Sequence, residues 1–155
     1  MSAHTENEIV VDAPFELVWD MTNDIANWTS LFSEYAESTV LEHRAGTVVF
    51  RLALHPDEQG KTWGWVSART PDRASGTVRS QRIETGPFKY MWIFWEYRQT
   101  DAGVRMRWVQ DFEMKPDLPV DDEGMRARLM RNTPVQMAHV KARIEEAARE
   151  LATTS

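Results

Sequence analysis

Apolar positions near the start of the chain predict one short strand followed by two short helices. Residues 7–12 contain the apolar run Ile9-Val10-Val11 and form the strand candidate. Asp12 can cap the first helix, and Pro14 lies in its first turn. The apolar face of this helix consists of Phe15, Val18 and Trp19. Residues 23–33 repeat apolar side chains every three to four positions, which predicts a second short amphipathic helix.

Between residues 35 and 114 the apolar period changes to two, which predicts β-strands. Turn-forming residues interrupt this region at short intervals. They are Ala45-Gly46, His55-Pro56-Asp57, Gln59-Gly60, Pro71-Asp72, Ser75-Gly76, Gly86-Pro87 and Asp101-Ala102-Gly103. About six strands with short connections fit between these turns, which indicates an antiparallel meander.

Residues 121–151 predict one long helix, followed by a short polar tail over 153–155. Its apolar stripe recurs every three to four residues. The stripe consists of Met125, Leu129, Met137, Val140, Ile144, Ala147 and Leu151, with Thr133 filling one gap. Pro134 interrupts the pattern, and Thr133-Pro134-Val135-Gln136 also fits a fresh capping box. We therefore expect a kink or a restart there.

These elements predict an α+β protein with one domain over residues 1–155. A curved antiparallel sheet of about seven strands would wrap the long C-terminal helix. The two small helices after the first strand would close one end. Such an arrangement leaves room for an interior cavity between sheet and helix.

Strand parity places polar side chains on the same faces as tryptophans. One row consists of Trp63, Trp65, Ser67 and Arg69. A second row, on the buried face of residues 104–114, consists of Val104, Met106, Trp108, Gln110, Phe112 and Met114. Isolated tryptophans most often fill a core, but a packed core would need buried partners for Arg69, Ser67 and Gln110. The rows therefore favour a small-molecule pocket. A salt bridge from Arg69 to Asp72 is the alternative for that residue.

The strand over residues 88–97 is apolar on both faces. One face consists of Phe88, Tyr90, Trp92 and Phe94, and the other of Met91, Ile93, Trp95 and Tyr97. If Met91 and Trp95 face the cavity, Trp92 and Phe94 lie on the outer face. Exposed adjacent aromatics indicate a homodimer or partner surface, and coverage by neighbouring side chains is the alternative.

Composition narrows the classes of function. The net charge is -6 and the pI is near 5.2, which argues against a nucleic-acid partner. No apolar run is long enough for a membrane helix, and the first residues lack a signal-peptide pattern, so we expect a soluble, cytosolic protein. With no cysteine and no metal-ligand spacing among the four histidines, we expect neither a metal nor a cofactor.

The C-terminal helix is locally basic, through Arg126, Arg128, Arg131, Lys141 and Arg143. This favours a solvated face, and docking of an acidic partner is the alternative.

Several blocks of sequence resemble the aromatase/cyclases of bacterial aromatic polyketide synthesis, of the tetracenomycin and spore-pigment type. The resemblance runs from about Ile9 to Glu150. It is carried by Ala13-Pro14-Phe15-Glu16-Leu17-Val18-Trp19-Asp20, Leu31-Phe32-Ser33-Glu34-Tyr35-Ala36-Glu37, Trp63-Gly64-Trp65-Val66-Ser67, Glu84-Thr85-Gly86-Pro87-Phe88 and Met106-Arg107-Trp108-Val109-Gln110. It implies the helix-grip fold of START-type and Bet v1-like proteins.

The resemblance also implies a function and a set of site residues. The substrate would be a linear poly-β-ketone tethered to an acyl carrier protein and made by a minimal polyketide synthase. Its first ring would be closed by aldol condensation between carbons nine and fourteen, then dehydrated and aromatised. Arg69 and Tyr35 match the catalytic positions of the family. The substrate-binding positions are Trp28, Phe32, Ser33, Trp63, Trp65, Ser67, Arg82, Met91, Trp95, Trp108 and Gln110.

Two other functions fit the same elements. A grip fold can hold a hydrophobic ligand without catalysis, as lipid-transfer proteins do, and fold alone does not separate the two. The Trp92/Phe94 surface would also suit an interaction module of a synthase complex. The polar row from Ser67 to Arg69 favours the enzyme.

Overall fold

A computed structural model describes residues 2–154. The chain begins with strand β1 (Ala3–Val11), helix α1 (Phe15–Asn23), a 3-10 turn (Ile25–Asn27) and helix α2 (Trp28–Leu31). Six strands and one long helix follow. They are β2 (Tyr35–Arg44), β3 (Thr47–Leu54), β4 (Gly64–Asp72), β5 (Thr77–Arg82), β6 (Phe88–Thr100), β7 (Gly103–Met114) and α3 (Asp122–Thr154). The predicted order of elements is confirmed.

All seven strands form one antiparallel sheet in the order β1-β7-β6-β5-β4-β3-β2. Consecutive strands from β2 to β7 are neighbours, as expected for a meander. The turn between β2 and β3 has positive φ at both Ala45 and Gly46, the geometry of a two-residue hairpin turn. Two register shifts in β2 bend this edge strand around the core.

Helix α3 packs along β1 and closes the sheet into a layered α+β fold. Met137, Val140 and Ile144 of its apolar stripe are buried. They join a core cluster that includes Val18 of α1 and Val104 of β7. Burial of this stripe stabilises a helix whose exposed positions are mostly polar and charged.

Two predictions about helix ends are wrong. The capping position of α1 is Pro14 rather than Asp12, and no side-chain cap bond forms there. The backbone N–H of Asp12 instead donates to Glu145 Oε2 on α3, at 2.8 Å. Of the kink or restart expected at Pro134, the restart is wrong: helix α3 continues through Pro134, because packing against the sheet outweighs the lost hydrogen bond. It extends beyond the predicted end as far as Thr154, and Ser155 of the predicted tail lies outside the described residues.

The prediction for one end of β6 is also wrong. Phe88 does not share the outer face of Trp92 and Phe94; it is buried, with 3% of its surface exposed. A register shift between Phe88 and Tyr90 inserts one extra residue into the strand. Because such a bulge reverses the facing of the residues before it, Phe88 points inward with Met91.

Candidate functional site

A cavity of about 860 Å³ lies between the inner face of the sheet and α3. Its walls are largely apolar and aromatic, with a few polar side chains. This size and composition are typical of sites that hold a small organic ligand, which range over roughly 300–1,000 Å³. The predicted interior cavity is therefore present.

Twelve of the thirteen predicted site residues line this cavity. They are Trp28, Phe32, Tyr35, Trp63, Trp65, Ser67, Arg69, Arg82, Met91, Trp95, Trp108 and Gln110. These residues face the same cavity from different elements, namely β2, β4, β5, β6, β7 and the segment before β2. Strand parity succeeded here because each strand turns one alternating face toward α3.

Ser33, which the resemblance gave as a substrate-binding position, is the exception. Its side chain is exposed and lies outside the cavity lining. The Ser33 hydroxyl accepts a hydrogen bond from Gln136 Nε2 at 2.9 Å, and the Ser33 backbone N–H donates to Gln136 Oε1 at 3.0 Å. These two bonds tie the segment before β2 to α3. Ser33 therefore helps to position a cavity wall.

Trp63 lines the cavity together with Trp65, Ser67 and Arg69, as parity predicted, although it lies just before β4. It precedes β4, which begins at Gly64, and its side chain is 42% exposed. Its indole N–H donates to Asp57 Oδ2 at 3.2 Å, and Lys61 Nζ lies 3.8 Å from the ring centroid. The Leu54 N–H also donates to the Trp63 backbone oxygen at 2.8 Å, next to the β3–β4 pairing, so backbone and loop contacts together hold Trp63 at the edge of the cavity.

Arg69 is the most deeply buried charged residue of the cavity, with 1% of its surface exposed. Its Nε donates to Asn23 Oδ1 at 3.1 Å and its NH2 group to the backbone oxygen of Thr22 at 3.3 Å. Both acceptors lie at the carboxyl end of α1, where the helix dipole is negative. No ion pair to Asp72 forms among the described residues, so that alternative is wrong. The helix end takes the place of a carboxylate partner.

The guanidinium of Arg69 also lies against two indole rings. Its central carbon is 4.3 Å from the ring centroid of Trp95 and 5.2 Å from that of Trp28. Burial lowers the pKa of Arg69, and the nearby Tyr97 hydroxyl opposes this effect. Since arginine starts from a pKa above about 12, the group remains a cation at neutral pH. The cavity therefore contains a fixed, desolvated positive charge.

Stacked indoles continue the wall next to this charge. Trp95 and Trp108 stack with ring centroids 4.1 Å apart and an angle of 6° between their planes. The indole N–H of Trp108 is buried and has no acceptor in the part of the chain that the structure describes. An unsatisfied buried donor costs free energy, which an acceptor oxygen on a bound ligand would remove.

Tyr35 forms a second polar group in the cavity, together with Glu34 and Arg82. Burial raises the pKa of Tyr35 well above its ordinary value, and the negative charge of Glu34 adds to the effect. Burial likewise raises the pKa of Glu34, although a hydrogen bond with Tyr35 partly offsets it. Burial lowers the pKa of Arg82 to about 10. Tyr35 therefore keeps its proton at neutral pH and can donate it.

Aromatic rings hold this second group in place. The Arg82 guanidinium lies 4.0 Å from the ring centroid of Trp65 and 4.6 Å from that of Phe88. Tyr35 stacks on Trp28 with ring centroids 6.2 Å apart. Trp28 also contacts Arg69, so one aromatic ring lies against both Arg69 and the group of Tyr35, Glu34 and Arg82.

Gln110 and Ser67 complete the predicted polar contacts. Gln110 Oε1 accepts a hydrogen bond from Thr5 on the neighbouring strand β1 at 2.9 Å. Its NH2 group makes no hydrogen bond within residues 2–154 and can serve a ligand. Ser67 is buried at 4% exposure and lies opposite Arg82 in the pairing of β4 with β5.

The sequence did not single out several residues that line the cavity. Glu34 was missed because it precedes β2, so strand parity says nothing about its direction. Ser80 could have been found by parity, because it lies two residues before Arg82 on the same strand, β5. The α3 contribution consists of Met125, Arg128, Leu129, Asn132, Thr133 and Gln136. Their spacing of three to four residues marks one helix face.

Metal-binding clusters and membrane-spanning helices are both absent from residues 2–154. No group of three or more histidine, aspartate or glutamate side chains in this range could hold a metal ion. In the same part of the chain, no helix has the length and apolar character needed to span a membrane.

Comparison with known proteins shows the family to which the chain belongs. Residues 11–137 match the family described as "Polyketide cyclase / dehydrase and lipid transport". A putative polyketide cyclase of Streptomyces cyaneus is 60% identical over 146 residues, which cover 94% of this chain and 96% of the relative.

Solved structures agree on the fold. The Zhui aromatase/cyclase from a Streptomyces strain superposes with a TM-score of 0.82 at 23% identity, covering 94% of each chain. A START superfamily protein from Mycobacterium smegmatis superposes with a TM-score of 0.73 at 16% identity, covering 96% of this chain and 98% of that one. The predicted START-like helix-grip fold is confirmed. On the family match and the 60% identity to a relative of similar length, the chain belongs to the polyketide cyclase/dehydrase and lipid transport family.

Proposed function

We propose that this protein is a polyketide aromatase/cyclase that acts on a linear poly-β-ketone tethered to an acyl carrier protein. The first ring would close between carbons nine and fourteen, followed by loss of water and aromatisation. The observation that carries the proposal is the cavity itself, in which flat aromatic walls surround the fixed cation of Arg69. The relative named a putative polyketide cyclase, at 60% identity, supports the same class of substrate. We place the reaction in the cytoplasm, together with the polyketide synthase that supplies the chain.

The protein has two main chemical tasks: to select one folded form of the chain and to stabilise the negative charge that develops on a ketone oxygen. A poly-β-ketone is already reactive, so the protein has to favour one folded form of the chain. The stacked rings of Trp95 and Trp108 provide flat surfaces for a partly enolised chain. An aldol attack turns one ketone oxygen into an alkoxide, and Arg69 would stabilise the negative charge as it develops. Two of the five N–H groups of Arg69 are used by Asn23 and Thr22, which fix the guanidinium in advance.

Tyr35 would supply the proton that the alkoxide takes up. Its raised pKa keeps the hydroxyl protonated, and Glu34 and Arg82 keep it among polar neighbours. The tyrosinate would then take back the proton released by the attacking carbon, which restores the Tyr35 hydroxyl. That hydroxyl would next protonate the new hydroxyl group, which leaves as water while the neighbouring carbon gives its proton to the tyrosinate and the ring gains a double bond. We infer no metal or cofactor for these steps, because enolate formation next to two ketones needs only acid–base groups.

The test is reconstitution with a minimal polyketide synthase, with the ring pattern of the products analysed by chromatography and mass spectrometry. Wild-type protein should direct the chain to the carbon nine to fourteen product. Arg69→Lys keeps a positive charge but loses the planar fork that contacts Asn23, Thr22 and the indole rings. It should lower the share of that product by about 10-fold or more.

Arg79→Lys is the matched control. Arg79 also stacks on an aromatic ring, at 4.8 Å from the centroid of Phe94, but on the outer face of the sheet. This variant should give the wild-type pattern. If wild-type protein leaves the product mixture unchanged while still binding the polyketide, the protein is a non-catalytic carrier and the proposal fails.

A further inference from the structure

Arg69 is a buried cation without a counter-charge. Only 1% of its surface is exposed, and no carboxylate among residues 2–154 forms an ion pair with it. A charge that leaves water without a partner of opposite sign is costly, so buried charges in proteins are normally paired. The contacts that hold Arg69 in place of a counter-charge therefore bear on the function of the cavity.

The carboxylates around this site act on other groups or face solvent. On α1, the helix that Arg69 contacts, Glu16 pairs with Arg73. Inside the cavity, burial lowers the pKa of Arg82, and the nearby charge of Glu34 opposes this effect. The other carboxylates of α1 and of the residue after it are exposed, namely Asp20 and Asp24. None of these groups neutralises Arg69.

Uncharged oxygen atoms hold Arg69 instead. Its Nε donates to Asn23 Oδ1 at 3.1 Å, and its NH2 group donates to the backbone oxygen of Thr22 at 3.3 Å. The Tyr97 hydroxyl, which hydrogen-bonds Thr22 Oγ1 at 2.6 Å, also favours the charged form of Arg69. Burial raises the pKa of Tyr97, so this hydroxyl is uncharged at neutral pH. These groups fix the direction of the guanidinium and leave its net charge intact.

Asn23 is held so that its side-chain oxygen faces Arg69. It is the last residue of α1, and its Nδ2 donates to the backbone oxygen of Trp19 at 2.9 Å. A backbone carbonyl can only accept and a guanidinium can only donate, so these two neighbours settle which way the amide points. An amide makes both bonds without a charge. A carboxylate would make only the bond to Arg69 and would add a negative charge.

We propose that Asn23 is a positioning residue, whose neutral amide fixes the guanidinium of Arg69 without neutralising it. The charge then remains available to an anionic oxygen of a ligand in the cavity. This inference rests on the proposed function, in which Arg69 stabilises an alkoxide. Asn23 is not among the residues that line the cavity. One residue behind the wall therefore sets how strongly the cavity favours negative charge.

The experiment compares two flat aromatic probes that differ in charge. Naphthoate is an anion at neutral pH, because a carboxyl group has a pKa near 4, and naphthamide is its neutral analogue of similar shape. Binding of each probe to the full-length protein is measured by calorimetry at neutral pH. Wild-type protein should bind naphthoate about 10-fold more tightly than naphthamide, through charge-assisted hydrogen bonds to Arg69.

Asn23→Asp should bind the two probes about equally, because the new carboxylate takes up the charge of Arg69. Arg69→Gln should also lose the preference for naphthoate, which assigns it to Arg69 rather than to another cation of the cavity. Asn23→Ala removes both bonds of the amide without adding a charge, and it should keep most of the wild-type preference. In all three variants the affinity for naphthamide should stay close to wild type.

Asn7→Asp is the matched control. Asn7 is half-buried like Asn23, its Nδ2 donates to Met130 Sδ at 3.7 Å, and the substitution adds the same charge away from Arg69. It should keep the wild-type preference. The inference is overturned if wild-type protein binds neither probe or both equally, or if Arg69→Gln retains the preference. It is also overturned if Asn23→Asp retains the preference or weakens both probes equally, or if Asn23→Ala loses as much preference as Asn23→Asp.

Reconstitution with the minimal polyketide synthase separates this inference from the proposed function. Asn23→Ala should lower the share of the carbon nine to fourteen product by about 10-fold, because the guanidinium is no longer fixed, and Asn23→Asp should lower it at least as far. Asn7→Asp should give the wild-type products. If wild-type protein leaves the products unchanged, the proposed function fails, whereas the preference for naphthoate is still decided by the binding measurements.

Discussion

Arg69 is buried without a carboxylate partner, and the reason lies in the helix that it contacts. The backbone oxygen of Thr22 and the side-chain oxygen of Asn23 accept its hydrogen bonds at the carboxyl end of α1. Thr22 Oγ1 in turn hydrogen-bonds the Tyr97 hydroxyl at 2.6 Å, and Trp28 Nε1 donates to the Thr22 oxygen at 3.3 Å. A carboxylate would neutralise the guanidinium, whereas a helix end positions it and leaves most of its charge available.

The buried carboxyl of Glu34 makes stability depend on pH. Because burial raises the pKa of Glu34, the folded protein binds this proton more tightly than the unfolded chain does. Below the unfolded pKa of about 4.3, Glu34 is protonated in both states and does not lower the free energy of unfolding. As the pH rises from there through the higher folded pKa, the free energy of unfolding falls. Glu34→Gln should raise the urea midpoint over wild type at pH 8 and match wild type at pH 4, measured by tryptophan fluorescence.

Glu58→Gln is the control, because Glu58 is exposed and its substitution also removes one negative charge. It should leave the urea midpoint close to wild type at both pH values. A difference between Glu34→Gln and wild type of the same size at pH 4 and pH 8 would contradict the assignment of the pH dependence to Glu34.

At the scale of elements, the chain is held in register by turns and bulges. The bulge at the start of β6 brings Phe88 inward, where it contacts Arg82, so a local irregularity adds one residue to the cavity wall. The hairpin between β6 and β7 packs closely against the end of β1. Gly103 begins β7 with φ of 136°, and a Cβ atom there would overlap the carbonyl oxygen of Val11 at the end of β1.

Gly103→Ala should therefore lower the free energy of unfolding strongly, through both backbone strain and overlap with β1. Gly60→Ala is the matched control, since Gly60 has φ of 77° but open space around it. The control should lose only the strain of a left-handed residue, about 1–2 kcal/mol. Urea denaturation should give a loss for Gly103→Ala at least twice as large. Equal losses would show that β1 can move away at no cost.

At the scale of the whole molecule, the cavity depends on elements that are far apart in sequence. Trp28, Tyr35, Trp65 and Trp95 come from four separate segments, yet Trp28 stacks on both Tyr35 and Trp95. The strands supply one wall of the cavity and α3 supplies the other.

The outer face of the sheet exposes the aromatic residues that the sequence analysis assigned to a homodimer or partner surface. Trp92 is 55% exposed, and its ring lies tilted against that of Tyr90 with centroids 4.5 Å apart, while the Arg79 guanidinium covers part of Phe94. If this face forms the dimer, sedimentation should give twice the monomer mass at high protein concentration, and Trp92→Lys should give a monomer. Leu41→Lys, which changes an equally exposed residue on β2, should leave the dimer intact. A wild-type monomer at all concentrations would contradict the proposal.

Local patterns in the sequence were sufficient for the order of elements and for most of the cavity wall. Alternation along a strand is a property of the backbone, so the sequence alone assigns Trp65, Ser67, Arg69 and Gln110 to the inner face. Sequence blocks indicated the family, which comparison with known proteins confirmed. Parity failed where the backbone leaves regular strand geometry, at the bulge beside Phe88.

Only the tertiary structure decided how these side chains act on one another. Nothing in the order of residues shows that Arg69 meets the end of α1, or that Arg82 of β5 lies near Glu34 and Tyr35. These are contacts between segments brought together by burial of apolar faces. The sequence determines the elements and their inner faces because both follow from local backbone geometry. Charge, pKa and access depend on distances across the fold, and those exist only after packing.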